Sequence, residues 1–187
     1  MTKAHVLDDY NAHGVQVPDS MLGWMRSNHA GETGAVWIYK GAGYVFWSQT
    51  IREMAAEHGE TERHHLVVMS HLVPRQHRSK LLPLWKVMGF GLGFLPSLFG
   101  YKAFCITISA VETFVEAHYK EQIDELNAHH DNPDLLALIK RCCDEEVHHQ
   151  QDAHQRIDNH QNGFIGRLWS RMVGWGSGLA VKAATKF

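Results

Sequence analysis

Two segments of the chain pair a glutamate with a histidine three residues on: Glu62 with His65, and Glu146 with His149. On a helix this spacing sets a carboxylate and an imidazole on one face, a turn apart. Two further glutamates, Glu32 and Glu112, interrupt apolar stripes of helical period. A charged side chain is almost never fully buried unless it is paired or bound to a cation. Four carboxylates and two imidazoles suit a pair of divalent cations. The carboxylates bridge, each imidazole caps one metal, and four negative charges balance two Fe(II) ions, removing the cost of burying the acids. Mixed oxygen and nitrogen donors favour iron or manganese over thiolate-held zinc. Two ferrous ions with open positions can reduce O2 by two electrons, leaving the protein to place them, keep the cavity dry and orient the ligands.

Such a set needs four helices, two giving Glu and two giving Glu-x-x-His, as in ferritin-like di-metal bundles. The first helix is expected from Asp19 and Ser20, acting as N-cap residues after Pro18, to about Trp47. Its stripe is Leu22, Met25, His29, Glu32, Val36, Tyr39, Gly43 and Phe46. The second runs from about Thr50 to Leu72, with Ile51, Met54, His58, Glu62, His65, Met69 and Leu72 in phase and Pro74 beyond its end. The third spans about Lys102 to Asn127, its stripe running from Tyr101 through Cys105, Ile108, Glu112, Val115, Tyr119 and Gln122 to Leu126. The fourth opens at Pro133 and is expected to reach about His160. Here Glu145/His148 and Glu146/His149 compete, and helical phase separates them. Glu146 and His149 align with Leu135, Ile139, Cys142 and Ala153, whereas Glu145 and His148 align with Arg141, Asp152 and Gln155, a face expected to meet solvent. A lone Glu-x-x-His usually marks a solvated face, and a lone Glu32 could sit at a rim or against an arginine. Four positions in phase with four apolar stripes make those readings jointly improbable.

The 187 residues suit one domain, 1–187, with residues 1–18 as an extended arm. The net charge of −2 gives no bulk attraction to nucleic acid. Cys105, Cys142 and Cys143 form no C-x-x-C pair, which argues against zinc ribbons and disulfide frameworks. The first ten residues resemble neither a signal peptide nor a transit sequence. From Val87 to Tyr101, 15 residues carry no charge, interrupted by four glycines and Pro96. A spanning helix needs about 20 apolar residues. Residues 81–101 are therefore expected to lie in a membrane interface, with Trp85 at headgroup depth between lysines; a glycine-rich core connection is the alternative. Residues 163–187 contain Arg167, Arg171, Lys182 and Lys186 with no acid, beside Phe164, Ile165, Leu168, Trp169, Met172, Val173 and Trp175. That pattern suits an anionic membrane surface, a fifth core helix or an oligomer contact.

The run Asn28-His29-Ala30-Gly31-Glu32-Thr33-Gly34-Ala35, with Ile38-Tyr39 and Gly41, resembles the N-H-A-G-E-Y-G-A…I-Y-x-G signature of the demethoxyubiquinone hydroxylase family. Pro83-Leu84-Trp85 with Gly89-Phe90, Ala110-Val111-Glu112 with His118-Tyr119 and Gln122-Ile123, and Asp144-Glu145-Glu146 with His149 resemble further parts of its pattern. The likeness covers about residues 20–175. It implies an all-α, ferritin-like four-helix bundle with additional amphipathic helices at a membrane surface. By that resemblance Glu32, Glu62, His65, Glu112, Glu146 and His149 match the family's iron ligands, through which catalysis runs; Glu145, one residue from a ligand, and His118 and Tyr119 are candidates for the shell around them. The family hydroxylates the ring of a polyprenyl demethoxyquinol in ubiquinone biosynthesis, using two Fe(II) ions, O2 and an external reductant such as NADH. The implied partners are the quinol, the membrane surface, other ubiquinone-biosynthesis proteins or a lipid-binding helper, and further copies of the chain; nucleic acid is not among them. The implied location is peripheral, on the cytoplasmic face of a bacterial inner membrane or the matrix side of a mitochondrial one. Thr33 and Trp37 depart from the family's usual Tyr and Arg. A ferritin or bacterioferritin-like storage protein and a tRNA-modifying di-iron hydroxylase are the competing readings. A storage shell has little use for the apolar segments, and the latter lacks a strong basic surface outside the tail.

Overall fold

The computed structural model describes residues 1–129, 132–157 and 163–186. Every regular element among them is helical: α1 (Lys3–Asp9), α2 (Leu22–Gly43), α3 (Gln49–Leu72), α4 (Leu82–Leu98), α5 (Tyr101–His129), α6 (Pro133–Arg156) and α7 (Phe164–Lys186), with single 3-10 turns at Asp19–Met21 and Arg75–His77. The fold is an all-α, ferritin-like bundle. Hairpins α2–α3 and α5–α6 form it, α4 packs along α2, and α7 lies across α5 and α2.

Helix starts follow local chemistry where a side chain can cap. Ser48 accepts from the Ile51 amide, and Asn132 accepts from the Leu135 amide at 2.9 Å, just ahead of Pro133 at the first helical position. The expected caps Asp19 and Ser20 instead lie inside the 3-10 turn, and Met21 stands at the N-terminus of α2 without a side-chain cap. The helix also stops earlier than its stripe suggested. It ends at Gly43; Val45 turns inward and Phe46 is exposed.

Residues 1–18 are not simply an extended arm. Thr2 caps the short helix α1, and Val6, Leu7 and Tyr10 are buried in the same apolar cluster as Met69, Leu72, Leu138 and Cys142. A seven-residue helix is marginal alone, so tertiary burial is what stabilises it.

Residues 81–101 pack against the bundle. Despite its glycines and Pro96, the segment is a regular helix over Leu82–Leu98. The glycines bring two backbones together: a Cβ on Gly93 would lie 1.7 Å from the Ile38 carbonyl oxygen, and one on Gly89 would lie 2.3 Å from that of Gly34. Ser97 Oγ donates to the Gly93 carbonyl at 2.6 Å, next to the place where Pro96 offers no N–H. The Trp85 ring rests against Gly34. One face of α4 is thus core, while Val87, Leu95, Leu98 and Phe99 remain exposed on another. The tail behaves likewise: Val173 and Ala184 of α7 are buried, and Phe164, Ile165, Met172 and Trp175 are not. No helix is long and apolar enough to cross a membrane among the described residues. The expected extension of α6 from 158 to His160, and Phe187 at the end of the tail, lie outside the described residues.

Candidate metal centre

Helix phase brings the six predicted residues together. Glu32 comes from α2, Glu62 and His65 from α3, Glu112 from α5, and Glu146 and His149 from α6; none is more than 4% exposed. They form two overlapping sets. Ligating atoms of Glu32, Glu62, His65 and Glu146 all lie within 4.8 Å of one another, as do those of Glu62, Glu112, Glu146 and His149. Glu62 and Glu146 belong to both, the arrangement that bridging carboxylates between two cations require.

Hydrogen bonds aim these groups inward. His65 Nδ1 lies 2.9 Å from Glu146 Oε1, and His149 Nδ1 lies 3.1 Å from Glu62 Oε1. Tyr119 donates to Glu32 Oε1 at 2.7 Å, and Tyr39 to Glu112 Oε1 at 3.4 Å. Even so, among the described residues the buried Oε2 atoms of Glu62 and Glu146 find no hydrogen-bond partner. A buried acceptor left unpaired costs about 1–3 kcal/mol, more for a charged group.

The electrostatics of the cluster point the same way. Burial, with Glu146 nearby, pushes the Glu62 carboxyl up to about 8, and burial with the same neighbour raises Glu112 well above the usual range. Burial also opposes ionisation of Glu146, but the imidazoles of His149, 3.6 Å from Oε2, and of His65, 2.9 Å from Oε1, outweigh it and hold this carboxyl low. The two histidines move the other way. Burial works against their protonation, yet surrounding acids raise His65 well above its ordinary value and His149 to about 11. In the metal-free chain, protons supply the charge that cations would supply. Orphaned acceptors, shared carboxylates and an oxygen-rich donor set with one imidazole per position all fit two divalent ions.

Around this centre the structure corrects one expectation and adds groups that helical phase could not reveal. Glu145 does not face open solvent: it is half-buried, and His65 Nε2, Tyr10 and Arg141 all reach it. Asp152 on the same face bonds His58 Nε2 at 2.8 Å. His148 meets the ring of His149 edge-on, with centroids 6.4 Å apart. His58 stacks on His149 with ring centroids 4.2 Å apart and meets Tyr39 at 3.3 Å. His58 and Tyr39 lay on the buried stripes and could have been flagged there; Tyr10, from a distant part of the chain, gave no such signal. Asn28 and Gln122 bond each other across α2 and α5 at 2.7 Å. Thr33 bonds the His29 carbonyl within its own helix, and Trp37 faces Phe90 and Lys40.

An apolar cavity of about 410 Å³ leads from the gap between α4 and α7 to the acids. Leu92, Leu95, Phe114, Met172 and Val173 line its walls, and Glu32, Glu62, Glu112 and Glu146 its inner end. Ser27 and His118 also line it, joined by a 3.0 Å contact between Ser27 Oγ and His118 Nε2. Burial lowers His118 to about 4, so its imidazole is neutral at physiological pH.

Comparison with known proteins agrees with this architecture. The chain is 37% identical over 134 residues to the 3-demethoxyubiquinol 3-hydroxylase of Rhodospirillum rubrum, covering 68% of this chain and 60% of the relative. It is 35% identical over 128 residues to the NADPH-dependent 3-demethoxyubiquinone 3-hydroxylase, mitochondrial, of Dictyostelium discoideum, covering 67% and 59%. The human protein of the same name is 34% identical over 131 residues, again covering 67% and 59%. The chain therefore spans about 60% of the length of these curated relatives. A family model described as ubiquinone biosynthesis protein COQ7 matches residues 20–184. That match runs through every helix supplying the six acids and imidazoles, and the chain belongs to the ubiquinone biosynthesis protein COQ7 family.

Proposed function

We propose that this chain is a di-iron monooxygenase that hydroxylates the ring of a polyprenyl demethoxyquinol, converting demethoxyubiquinol to demethylubiquinol in ubiquinone biosynthesis. The observation that carries this reading is the apolar cavity ending on buried carboxylates. A lipid-tailed ring can enter it, and a soluble ion-storage site has no need of it.

Glu32, Glu62, His65, Glu112, Glu146 and His149 would hold the two irons, Glu62 and Glu146 belonging to both groups of ligating atoms. When bound, the irons supply the electrons and open positions that O2 reduction requires. The chain's own residues do the rest. Tyr119 and Tyr39 fix the outer carboxylates Glu32 and Glu112 by hydrogen bonds. The apolar walls exclude water, which strengthens every polar contact inside. Neutral His118, with Ser27, offers hydrogen bonds to a quinol oxygen and so orients the ring. Electrons return from an external reductant. The names of the Dictyostelium and human relatives specify NADPH, and a nicotinamide nucleotide, NADH or NADPH, is the reductant inferred for this chain.

Helices α4 and α7, which line the cavity, also carry exposed apolar side chains, and Lys86 and Arg171 lie on the same two helices. They suit peripheral attachment to an anionic membrane, with each nearby cation contributing on the order of 1 kcal/mol. The Dictyostelium and human relatives are named mitochondrial, and the position proposed for this chain is peripheral, on the cytoplasmic face of a bacterial inner membrane or the matrix side of a mitochondrial one.

Deleting the gene and extracting lipids tests the function. Demethoxyquinone should accumulate, and the wild-type gene, but not one carrying Glu112→Ala, should remove it. An unchanged quinone profile in the deletion strain would overturn the proposal.

A further inference from the structure

Helix α1 brings to the centre a side chain that the six-residue set does not require and that precedes the stretch matched by the family model. Tyr10 is 4% exposed, and its hydroxyl donates to Glu145 Oε2 at 2.5 Å. The same oxygen lies 2.7 Å from His65 Nε2, the ring nitrogen opposite the one facing Glu146 and Glu32. Arg141 secures the assembly. Its Nε donates to Glu145 Oε1 at 3.1 Å, its Nη2 to Asp9 Oδ2 at 2.6 Å, and its guanidinium lies 3.8 Å from the centre of the Tyr10 ring. Glu145 is thereby held on both oxygens, with α1 closing the outside.

The other histidine is backed differently. His149 has the flat face of His58 against its ring, and the carboxylate of Asp152 reaches His58 instead. An anion hydrogen-bonded to the outer nitrogen fixes an imidazole's orientation and raises its basicity toward a metal. A stacked imidazole face fixes orientation and supplies no anion.

We infer that Tyr10 is a positioning residue: it holds Glu145 on His65 and so makes the metal position at Glu32 and His65 the tighter of the two. This rests on the proposed metal centre. The test is anaerobic titration of the full-length, metal-free protein with Co(II), following its absorption bands. Wild type should bind two ions in resolved steps, and the tighter step should survive His149→Ala but not His65→Ala. Tyr10→Phe keeps the ring beneath Arg141 and removes only the hydroxyl. It should weaken the tighter step by about tenfold and leave the other within about twofold; Glu145→Gln, an independent variant, should weaken the same step by up to about a hundredfold. A purely structural role would weaken both steps together or only lower the melting temperature. An unchanged ratio of the two affinities in Tyr10→Phe and Glu145→Gln, with wild type binding two ions, would overturn the inference alone. A wild type that binds no Co(II) would overturn the metal centre with it.

Discussion

The two flanks of the bundle are built on different principles. On the α3–α6 flank, polar side chains close on one another: His65, Glu145, Tyr10 and Arg141 at one end, and His149, His58 and Asp152 at the other. On the α4–α7 flank, backbone meets backbone at glycines, the walls are apolar, and large side chains face outward. Helices α2 and α5 stand between, each offering one glutamate to the first flank and a cavity wall to the second. The difference teaches that holding ions and admitting an apolar ligand make opposite demands. The first needs every donor and acceptor fixed; the second needs an opening that no polar network crosses.

If the flanks are separable, variants should break one without the other. The largest effect is expected from Glu112→Ala or His149→Ala. Metal analysis after anaerobic iron loading should fall from about two ions toward one or none, with activity abolished. On the opposite flank, Gly93→Val forces a side chain onto the Ile38 carbonyl, where even a Cβ would lie 1.7 Å away. Since the obstacle is backbone, the loss of stability in denaturant melts should exceed the usual overpacking penalty of about 1–3 kcal/mol. If the protein still folds, its iron should remain.

A metal-free sample should also lose stability as pH rises. The Glu62 carboxyl, raised to about 8 by burial and Glu146, favours the folded state while protonated. Its contribution is present below the unfolded carboxyl value and is lost as pH climbs to about 8. His149, raised to about 11 by Glu146 and Glu62 despite burial, loses its contribution in the same direction at higher pH. Thermal melts from pH 5 to 9 should slope downward by up to a few kcal/mol, less steeply in Glu62→Gln and after metal loading.

A smaller change is expected at the membrane face. Replacing Val87, Leu98 and Phe99 with serine removes exposed apolar area without touching the acids. Sedimentation with anionic liposomes should weaken by at least about tenfold, on the scale of burying one large side chain. Turnover of long-tailed quinols should drop while a short-tailed, water-soluble analogue is still hydroxylated. The mildest effect should come from Trp37→Ala, whose ring lies 4.1 Å from Lys40 Nζ, outside both flanks' functional parts. It should cost about 0.5–1 kcal/mol in melts and leave metal content unchanged.

What could be read from the chain alone follows from range. Period fixes phase within a helix, so Glu146 and His149 could be separated from Glu145 and His148 before any contact was known. It cannot say what covers a helix's other face. Glu145 looked solvent-facing because its neighbours Arg141 and Asp152 are charged, yet α3 and α1 lie over that face. Period left residues 81–101 open between a membrane-interface segment and a glycine-rich core connection, and local propensity disfavours the segment's glycines and Pro96 in a helix. Their cost is offset by a backbone approach to α2 that only glycine permits. The start of the chain looked extended for the converse reason: α1 is too short to be stable before Val6, Leu7 and Tyr10 find their cluster.

The central claim is that the polar flank serves chemistry on a ligand admitted by the apolar one. A single-turnover reaction tests it most directly: protein loaded with iron under anaerobic conditions, mixed with a demethoxyquinol and then exposed to 18O2, with products read by mass spectrometry. The account predicts a hydroxylated quinol carrying one 18O atom, formed by wild type and not by Glu112→Ala. Oxidised iron with the quinol ring left unhydroxylated would contradict it and return the chain to the storage reading.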